Sequence, residues 1–475
     1  MQRLGLDEDA LMARAGEAAW RLLQQRWPDA RRIGIACGPG NNGGDGYVIA
    51  HLARASGRDV CVLALLPDSP RDGAGARAAA AYAQSGGVAT PYAMGDALPE
   101  ADVWVDALFG IGLHRALDGL AADFAAALNR QPRPVLALDV PSGINADTGD
   151  SPGVAVQAGV TLSFIAGKCG LYTGAGRDAA GEVVVDRLGL DEALFEGIEP
   201  AAMLARPENL SHWLKPRPRD AHKGDFGHVL CVGGDHGYGG AIALCAQAAL
   251  RCGAGLVSVA TRATHVAALI VSRPEAMTHA VEESGEFAPL LQRASVIAIG
   301  PGLGQGDWGR ALHAAALASG KPLVIDADAL NLLARQPQAL HDAVLTPHPG
   351  EAARLLDVST STVQSDRYAA ADNLADLYAA TVVLKGAGTI VATLGKIPFI
   401  IDAGNPGMAT GGMGDVLTGV IAALRAQGLS AFDSAACGAL LHASAGDAAA
   451  RDGGERGLLP SDLFTLLRRL ANPCA

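Results

Sequence analysis

The stretch RIGIACGPGNNGGDGYVIAHLARAS, residues 32–56, decides the fold of the first part of the chain. Its apolar start, Arg32–Cys37, predicts a short buried strand, and its end, Tyr47–Ser56, predicts a helix. Five of the nine residues between them are glycine. Glycines let a backbone approach a phosphate, and a helix N-terminus supplies free N–H groups. The stretch therefore predicts a strand, a ligand-binding turn and a helix.

The alternation of strands and helices continues along the first half of the chain. The predicted strands are Val60–Leu66, Val103–Leu108, Val135–Val140 and Val160–Ile165, and the predicted helices are Ala74–Gln84 and Leu117–Asn129. This order predicts βαβ units with right-handed crossovers on a parallel sheet. Ligands are then expected at the carboxyl ends of the strands.

The chain has 475 residues, which at about 100–200 residues per domain corresponds to two large domains or three smaller ones. The Pro-rich, charged stretch RPENLSHWLKPRPRD, residues 206–220, interrupts the alternation and is predicted to link domains 1–205 and 221–475. A second alternating series follows it without repeating any motif of the first. We therefore expect two different fused three-layer α/β domains.

Composition excludes several classes of protein. Hydrophobic residues make up 49% of the chain and charged residues 18%, so the chain can bury a large core and is not disordered throughout. A net charge of −12 without Lys/Arg blocks argues against nucleic-acid binding. The eight cysteines form no CxxC pair, which favours free thiols in a reducing cytoplasm. Neither a signal peptide nor a membrane-spanning stretch is expected.

The first glycine cluster resembles a dinucleotide fingerprint but lacks one part of it. Gly38-x-Gly40-x-x-Gly43 has the spacing, yet no acidic residue stands about 20 residues later, where Leu63 is found. A conventional NAD(H) redox domain is therefore not expected. A tight turn without a ligand is the alternative, although so many polar groups together favour a site.

Two further strand ends carry carboxylates, Asp106 and Asp139. Together with the neutral oxygens of Asn42 and Ser142, Asp106 suits a hard monovalent or divalent cation. Asp139 is then available as a general acid or base.

Three motifs in this half, GPGNNGGDG (38–46), VDALFGIG (105–112) and LDVPSGINADTG (138–149), resemble the N-terminal epimerase domain of the bifunctional NAD(P)H-hydrate repair enzymes. The resemblance implies a Rossmann-like isomerase that interconverts the R and S forms of hydrated NADH and NADPH. It implies K⁺ ligands at Asn42, Asp106 and Ser142, with Asp139 as the acid/base. The implied hydrate-binding residues are Asn41, Asn42, Gly43, Gly44, Asp45, Gly110, Ile111, Gly112, Leu113, His114, Arg115, Ala116 and Asp139. Family members usually have an extra stretch before the helix at Leu11–Gly16, so the expectation here is either a misassigned start codon or weaker substrate closure or dimer contact.

The most informative run of the second half is NPGMATGGMGD, residues 405–415. Glycines before a helix expose N–H groups as an anion hole, and Asp415 in the first turn can take a proton from a substrate hydroxyl. An ordinary capping Asp is the alternative. His348 could be a structural loop residue, and Asp326 and Asp328 could be caps or reach a metal through water. Mg²⁺ is expected to offset nucleotide charge, and the absence of GxxxxGK[ST] excludes a P-loop kinase.

This half resembles the family's C-terminal domain, an ADP- or ATP-dependent dehydratase (a lyase) with a ribokinase-like fold. The motifs that carry the resemblance are KGDFGHV (223–229), GPGLG (300–304), DADALN (326–331), TPHPGE (346–351), KGAGT (385–389) and NPGMATGGMGD. The resemblance implies that ADP phosphorylates the ring hydroxyl of the S hydrate and that phosphate then leaves, with AMP as co-product. It implies Asp415 as the base. The implied nucleotide-binding residues are Lys385, Gly386, Ala387, Gly388, Thr389 and Gly414, and the implied hydrate contacts are Ala241, Gly302, His348 and Asp415. Both domains resemble families that assemble, so a homo-oligomer is expected.

Two other functions are compatible with these residues. The first is a small-molecule kinase fused to a sugar- or vitamin-binding domain, because the ribokinase-like fold serves many hydroxyl substrates. The second is a repair enzyme whose first domain is only a binding module or scaffold. The reaction product distinguishes the kinase from the repair enzyme, because a kinase releases a stable phosphoester and a dehydratase releases phosphate and reduced cofactor.

Overall fold

A computed structural model describes residues 7–65 and 73–473 of the chain. The chain divides into two compact units, one ending at Glu199 and one beginning at Pro200. The predicted N-terminal helix is α1, Glu8–Arg26. Residues 1–6 and the predicted strand end at Leu66 lie outside the described residues.

The first unit is built around a seven-stranded parallel sheet with strand order β3-β2-β1-β4-β5-β6-β7. Its strands are β1 Arg32–Cys37, β2 Asp59–Ala64, β3 Ala89–Pro91, β4 Val103–Ala107, β5 Val135–Leu138, β6 Val160–Phe164 and β7 Glu182–Asp186. Its helices after α1 are α2 Asn41–Ala55, α3 Gly73–Gln84, α4 Gly119–Asn129 and α5 Gly174–Ala180, and short 3₁₀ helices lie at Cys169–Tyr172 and Glu192–Phe195.

Alternate residues of the central strands enter two separate cores, one on each face of this sheet. Ile33 and Ile35 of β1 belong to the core that includes α1 and α2, whereas Ala36 and Trp104 belong to the core that includes α4. Burial on both faces explains why these strands are continuously apolar. The predicted α/β layering is confirmed here.

The second unit contains a ten-stranded mixed sheet with strand order β11-β10-β9-β12-β13-β14-β15-β16-β17-β8. Its strands are β8 Met203–Ala205, β9 His228–Val232, β10 Leu256–Thr261, β11 Met277–Ala280, β12 Val296–Ile299, β13 Leu323–Ile325, β14 Ala343–Leu345, β15 Thr381–Leu384, β16 Ile390–Ala392 and β17 Phe399–Ile401. The strands from β11 to β15 are parallel, and β16 pairs antiparallel with both neighbours.

Helices cover both faces of this second sheet. They are α6 Leu210–Trp213, α7 Gly239–Arg251, α8 Ala263–Ser272, α9 Ser284–Arg293, α10 Asp307–Ala318, α11 Ala327–Arg335, α12 Pro349–Leu356, α13 Thr360–Ser365, α14 Arg367–Tyr378, α15 Met413–Ala426, α16 Ala431–Gly453 and α17 Leu463–Leu470. Short 3₁₀ helices lie at Pro207–Asn209, Lys223–Phe226, Pro406–Met408 and Pro460–Asp462. Val229 and Cys231 face the core that contains α7, α15 and α16, and Leu230 and Val232 face the other.

Two boundaries differ by more than two residues from the sequence expectation. Helix α2 begins at Asn41 instead of Tyr47, so the NNGGDG residues form its first turns. The stretch 206–220, expected to be a linker, packs within the second unit. Leu210 is buried in the core there, and Trp213 Nε1 donates a hydrogen bond of 3.2 Å to Asp433. Apolar residues among the prolines anchor that stretch, which composition alone does not show.

Across residues 7–65 and 73–473, the structure contains no helix with both the length and the apolar character needed to cross a membrane.

Candidate active sites

The first candidate site lies at the carboxyl ends of β1 and β4, the neighbouring strands at which the strand order reverses. This is where open α/β sheets bind ligands. The turn after β1 must be glycine-rich because the backbones touch. A Cβ atom at Gly38 would lie 1.9 Å from the Leu108 carbonyl oxygen, and one at Gly43 would lie 2.0 Å from the Gly38 oxygen. These approaches bring the start of α2 against both strand ends.

Asp106 is the penultimate residue of β4 and is completely buried. Its carboxylate accepts hydrogen bonds from the Ser142 N–H at 2.8 Å, the Ser142 hydroxyl at 2.7 Å and the Leu108 N–H at 3.2 Å. Burial raises the pKa of Asp106, and the hydrogen bonds from Ser142 and Leu108 offset only part of that rise. The arrangement is a buried, oriented carboxylate with little solvation of its own.

Neutral oxygen-bearing groups stand beside this carboxylate. The Ser142 hydroxyl accepts the Phe109 N–H at 3.0 Å, and a Cβ atom at Gly110 would lie 3.7 Å from the Asn42 amide carbon. Asn42 Nδ2 is buried without a hydrogen-bond partner. One carboxylate, one amide and one hydroxyl together have the donor chemistry of a monovalent cation site. Within the described ranges, no three His, Cys, Asp or Glu side chains are grouped to hold a metal.

Asp139 follows β5 and pairs with Lys168, which follows β6. Lys168 Nζ lies 2.5 Å from Asp139 Oδ1, and both side chains are largely buried. Asp139 adopts φ +67°, in the left-handed region that is costly for a residue with a Cβ. Asp45 of α2 faces this pair, and burial together with the Asp139 charge raises the pKa of Asp45 well above its usual range.

The second candidate site lies where the order of the larger sheet reverses, between β9 and β12. Gly302 follows β12 with φ +59°, and a Cβ atom there would lie 2.7 Å from the Tyr238 Cβ and 3.3 Å from the Ala241 Cβ. Asp328 Oδ2 accepts the Gly304 N–H at 2.9 Å and so fixes this loop. The first turn of α7 and the loop after β12 therefore form one wall, with the exposed Tyr238 ring at its edge.

A buried charged cluster forms the floor of the second site. Lys385 Nζ lies 2.9 Å from Asp326 Oδ1 and 3.8 Å from Glu351 Oε2. Thr418 of α15 donates to Asp326 Oδ2 at 2.9 Å. A Cβ atom at Gly414 would lie 3.2 Å from Lys385 Nζ. Lys385 therefore lies where the end of β13, helix α12 and the start of α15 meet.

The carboxylates of this cluster differ in charge state. Burial and then repulsion by Asp326 raise the pKa of Asp415 to about 7. Burial raises the pKa of Glu351 to about 7, although Lys385 opposes the rise. For Asp326, burial also favours the neutral form, but the adjacent Lys385 outweighs it and the pKa is lowered. The site therefore holds one fixed ion pair and two carboxyl groups that titrate near neutral pH.

His348 caps helix α12. Its Nδ1 accepts the Gly350 N–H at 3.0 Å and the Glu351 N–H at 3.4 Å, so Nδ1 carries no proton. Burial and the nearby Lys385 lower the pKa of His348. The alternative from the sequence was a structural loop histidine; in the structure His348 is the N-cap of α12 and a neutral imidazole at the rim of the cluster.

The loop that precedes α15 is held from both sides. Asp447 accepts hydrogen bonds of 2.8 Å from the Gly404 N–H and from the Asn405 amide. Gly412 has φ +95°, and a Cβ atom there would lie 2.8 Å from Leu244. Because of this support the N–H groups at the start of α15 are fixed in place before any phosphate arrives.

Comparison with known proteins agrees with this division of the chain. Residues 229–469 match the NAD(P)H-hydrate dehydratase family, and residues 8–170 match the YjeF-related protein N-terminus. A bifunctional NAD(P)H-hydrate repair enzyme from Coxiella burnetii is 48% identical over 469 residues, 99% of this chain and 96% of that protein. The chain belongs to the bifunctional NAD(P)H-hydrate repair enzymes.

Solved structures support the same assignment for the second unit. A ribokinase-like superfamily protein from Enterococcus faecalis aligns with a TM-score of 0.54 and 31% identity, over 58% of this chain and 97% of that one. The ADP/ATP-dependent NAD(P)H-hydrate dehydratase from Bacillus subtilis, co-crystallized with ATP and Mg²⁺, aligns with a TM-score of 0.51 and 26% identity, over 57% and 97%. The ribokinase-like fold expected for the second domain of this repair enzyme is confirmed.

The structure of this repair enzyme places the predicted site residues at two sheet edges. In the first unit, Asn41–Asp45 form the first turns of α2, and residues 110–116 lie in the loop after β4. In the second unit, Ala241 and Gly302 are in contact distance, and Lys385 approaches Gly414. The rest of the KGAGT motif, 386–389, forms the turn between β15 and β16. The roles of these residues stay predictions.

Four residues at these sites had no predicted role: Lys168, Tyr238, Glu351 and Arg367. Lys168 and Glu351 follow strand ends, a signal that could have identified them. Arg367 is almost fully buried and donates to the Leu384 and Lys385 carbonyls at 3.2 Å, behind the KGAGT loop. Nothing in its sequence context distinguishes it from a surface arginine.

Proposed function

We propose that this chain repairs hydrated NADH and NADPH by two reactions, epimerisation in the first unit and ADP-dependent dehydration of the S form in the second. The observation that carries the proposal is Asp415. It stands in the first turn of α15, next to a supported glycine loop, with a pKa of about 7. A carboxylate with that pKa at an anion hole is suited to take a hydroxyl proton at neutral pH.

In the proposed dehydration, Asp415 takes the proton of the hydrate's ring hydroxyl, and the hydroxyl oxygen bonds to the terminal phosphorus of ADP. The bond from that phosphorus to the AMP oxygen breaks, and AMP leaves. The phosphate ester then eliminates phosphate while the neighbouring ring carbon loses a proton, which restores the ring double bond. Phosphate departs far more readily than hydroxide.

The charge of the nucleotide needs a counter-charge beyond Lys385. Asp326, Asp328 and Asp415 could take up Mg²⁺ through water, since Mg²⁺ prefers one or two carboxylates together with substrate phosphates. When bound, the ion would neutralise charge on the phosphoryl oxygens. The nucleotide itself is proposed to lie on Lys385–Thr389 and Gly414, whose backbone Arg367 fixes from behind.

In the proposed epimerisation, Asp139 takes the proton of the same hydroxyl, which sits on the ring carbon bonded to nitrogen. A carbonyl forms as the carbon–nitrogen bond breaks, and the electron pair is delocalised from nitrogen into the conjugated carboxamide. Rotation presents the other face of the carbonyl, nitrogen bonds to it again, and Asp139 returns the proton. Asn42, Asp106 and Ser142 are proposed to hold K⁺, which would supply a fixed positive charge beside the hydrate.

One experiment tests both activities. The full chain is incubated with a mixture of R and S hydrates, Mg²⁺, K⁺ and ADP, and the near-ultraviolet absorbance of regenerated NADH is followed to completion. We expect nearly all of the hydrate to be recovered faster than it epimerises without enzyme. Recovery that stops at the S fraction would leave only the dehydratase. A stable phosphoester without NADH would overturn the proposal in favour of a kinase.

Cys231, Cys245, Cys252 and Cys437 are buried free thiols; such thiols suit a reducing compartment, and we propose that the protein acts in the cytoplasm. A homo-oligomer stays a prediction.

A further inference from the structure

Lys168 lies in the loop after β6, and none of the motifs of the sequence includes it. Its ammonium group donates to Asp139 Oδ1 at 2.5 Å and to the Phe164 carbonyl at 2.6 Å. Only 17% of its side chain is exposed. A lysine this enclosed has exchanged most of its water for two fixed acceptors, and one of them is the proposed acid/base.

The two oxygens of Asp139 have different surroundings. Oδ1 accepts from Lys168 and, at 3.4 Å, from the Phe164 N–H. Oδ2 accepts no hydrogen bond from any residue that the structure describes. A Cβ atom at Gly110 would lie 3.2 Å from Oδ2, so a side chain there would cover it. The carboxylate thus has one oxygen held by the protein and one open toward the loop 110–116.

The backbone of Asp139, like its side chain, is fixed by neighbouring residues. Its φ of +67° is uncommon for a residue with a side chain, and its N–H donates to the Leu162 carbonyl of β6 at 2.7 Å. Strained residues of this kind persist where the surrounding structure fixes them, often at functional sites. Strand β6 therefore fixes Asp139 through its backbone, and Lys168 fixes it through its side chain.

We propose that Lys168 is the positioning residue of the epimerase: it holds Asp139 Oδ1 so that Oδ2 faces the hydroxyl of the bound hydrate. This inference rests on the proposed epimerase function. Among the described residues, Lys168 from the loop after β6 pairs with Asp139, and Asp45 from α2 interacts with it electrostatically. Without Lys168, Asp139 would keep only the long hydrogen bond of 3.4 Å from the Phe164 N–H and the repulsion of Asp45, and its side chain would be less firmly held toward the hydrate.

The test uses the full chain with Lys168→Met, Lys168→Arg and Lys168→Ala. The R hydrate is supplied with ADP and Mg²⁺ to report epimerisation, and the S hydrate is supplied separately to report dehydration by the same molecules. Arg26→Met is the matched control, because Arg26 also pairs with a carboxylate of this unit, Glu182, but at an exposed position. Dehydration of the S hydrate should be unchanged in every variant.

For Lys168→Met we expect kcat for the R hydrate to fall about 100-fold while KM changes less than about threefold, because misplacement of a reacting group affects the rate and not the binding surface. Lys168→Arg should recover part of the rate. Ethylamine should restore part of the rate to Lys168→Ala and should leave the rate of Arg26→Met unchanged.

An unchanged kcat in Lys168→Met, with wild-type epimerisation intact, would overturn the positioning role. A loss that neither arginine nor ethylamine reverses would also overturn it, since it would indicate a purely structural lysine. Absence of epimerisation in the wild-type chain would instead refute the proposed function.

Discussion

Replacing Asp415 by asparagine should greatly slow dehydration and at the same time stabilise the second unit at alkaline pH. The two effects have one cause. Burial and the Asp326 charge disfavour the Asp415 anion, yet the proposed base must be an anion to act. Asparagine has nearly the same shape and no charge, so it removes the base together with the electrostatic cost. Dehydration should fall about 10²–10⁴-fold, the usual contribution of a general base.

The size of the stability change follows from the pKa. The ordinary value is 3.8 and the folded value is about 7, a difference that corresponds to roughly 4 kcal/mol. Because the folded state keeps the proton after the unfolded state has lost it, stability falls as the pH rises from about 4 to about 7. Asp415→Asn has no such fall. Its free energy of unfolding relative to wild type should increase between about pH 5 and pH 8 by 1–3 kcal/mol, less than the full linkage because the site is open to water.

Urea unfolding of the full chain at the two pH values measures this change. ADP identifies the transition of the second unit, since a ligand stabilises only the unit that binds it. Asp307→Asn is the matched control: it is also an acidic residue in the first turn of a helix of this unit, but its side chain is 98% exposed. The reasoning fails if Asp415→Asn and Asp307→Asn respond alike to pH, or if Asp415→Asn regenerates NADH from the S hydrate at nearly the wild-type rate.

Three further changes test the remaining groups. Gly110→Ala should lower epimerisation at least about tenfold, because the added methyl group would lie 3.2 Å from Asp139 Oδ2; equal rates from the R hydrate would contradict this. Lys385→Met should destabilise the second unit by roughly 3–5 kcal/mol, since it leaves Asp326 buried without its cation; thermal unfolding measures the loss, and an unchanged midpoint would refute it. Asp106→Asn should remove the stimulation of epimerisation by K⁺ over Na⁺; stimulation that persists would place the ion elsewhere.

The sequence predicted the layering of both units because their central strands are apolar on both faces and end in glycine clusters. It did not predict where α2 begins. Glycine is a poor helix former, so residues 41–46 read as a loop. In the structure those glycines allow contact: a Cβ atom at Gly46 would lie 2.8 Å from Ala107 and 2.9 Å from Cys37. Close packing of α2 on the strands outweighs the local preference, and this packing depends on residues far away in the chain.

The sequence analysis did not predict the ion pairs, for a related reason. Lys168 and Asp139 are 29 residues apart, and Lys385 and Asp326 are 59 apart. No helical or strand period connects such positions. They meet because β5 and β6 are paired in register, and because β13, β14 and β15 are neighbours in the larger sheet. A polar residue after a predicted strand can be identified from sequence, but its partner is known only once the strand order is known.

The two units reach a similar charge arrangement with different residues. In each, one lysine after a parallel strand pairs with one buried aspartate, Lys168 with Asp139 and Lys385 with Asp326. In each, a second carboxyl group nearby is driven toward its neutral form, Asp45 in one and Asp415 in the other. The lysines differ in their relation to the proposed acid/base, however. In the first unit Lys168 pairs directly with the proposed acid/base, Asp139, whereas in the second unit Lys385 pairs with Asp326 and the proposed base, Asp415, lies beside that pair. Because the pKa of Asp415, which lies beside the pair, is raised to about 7, the rate of dehydration should fall as the pH drops below neutral.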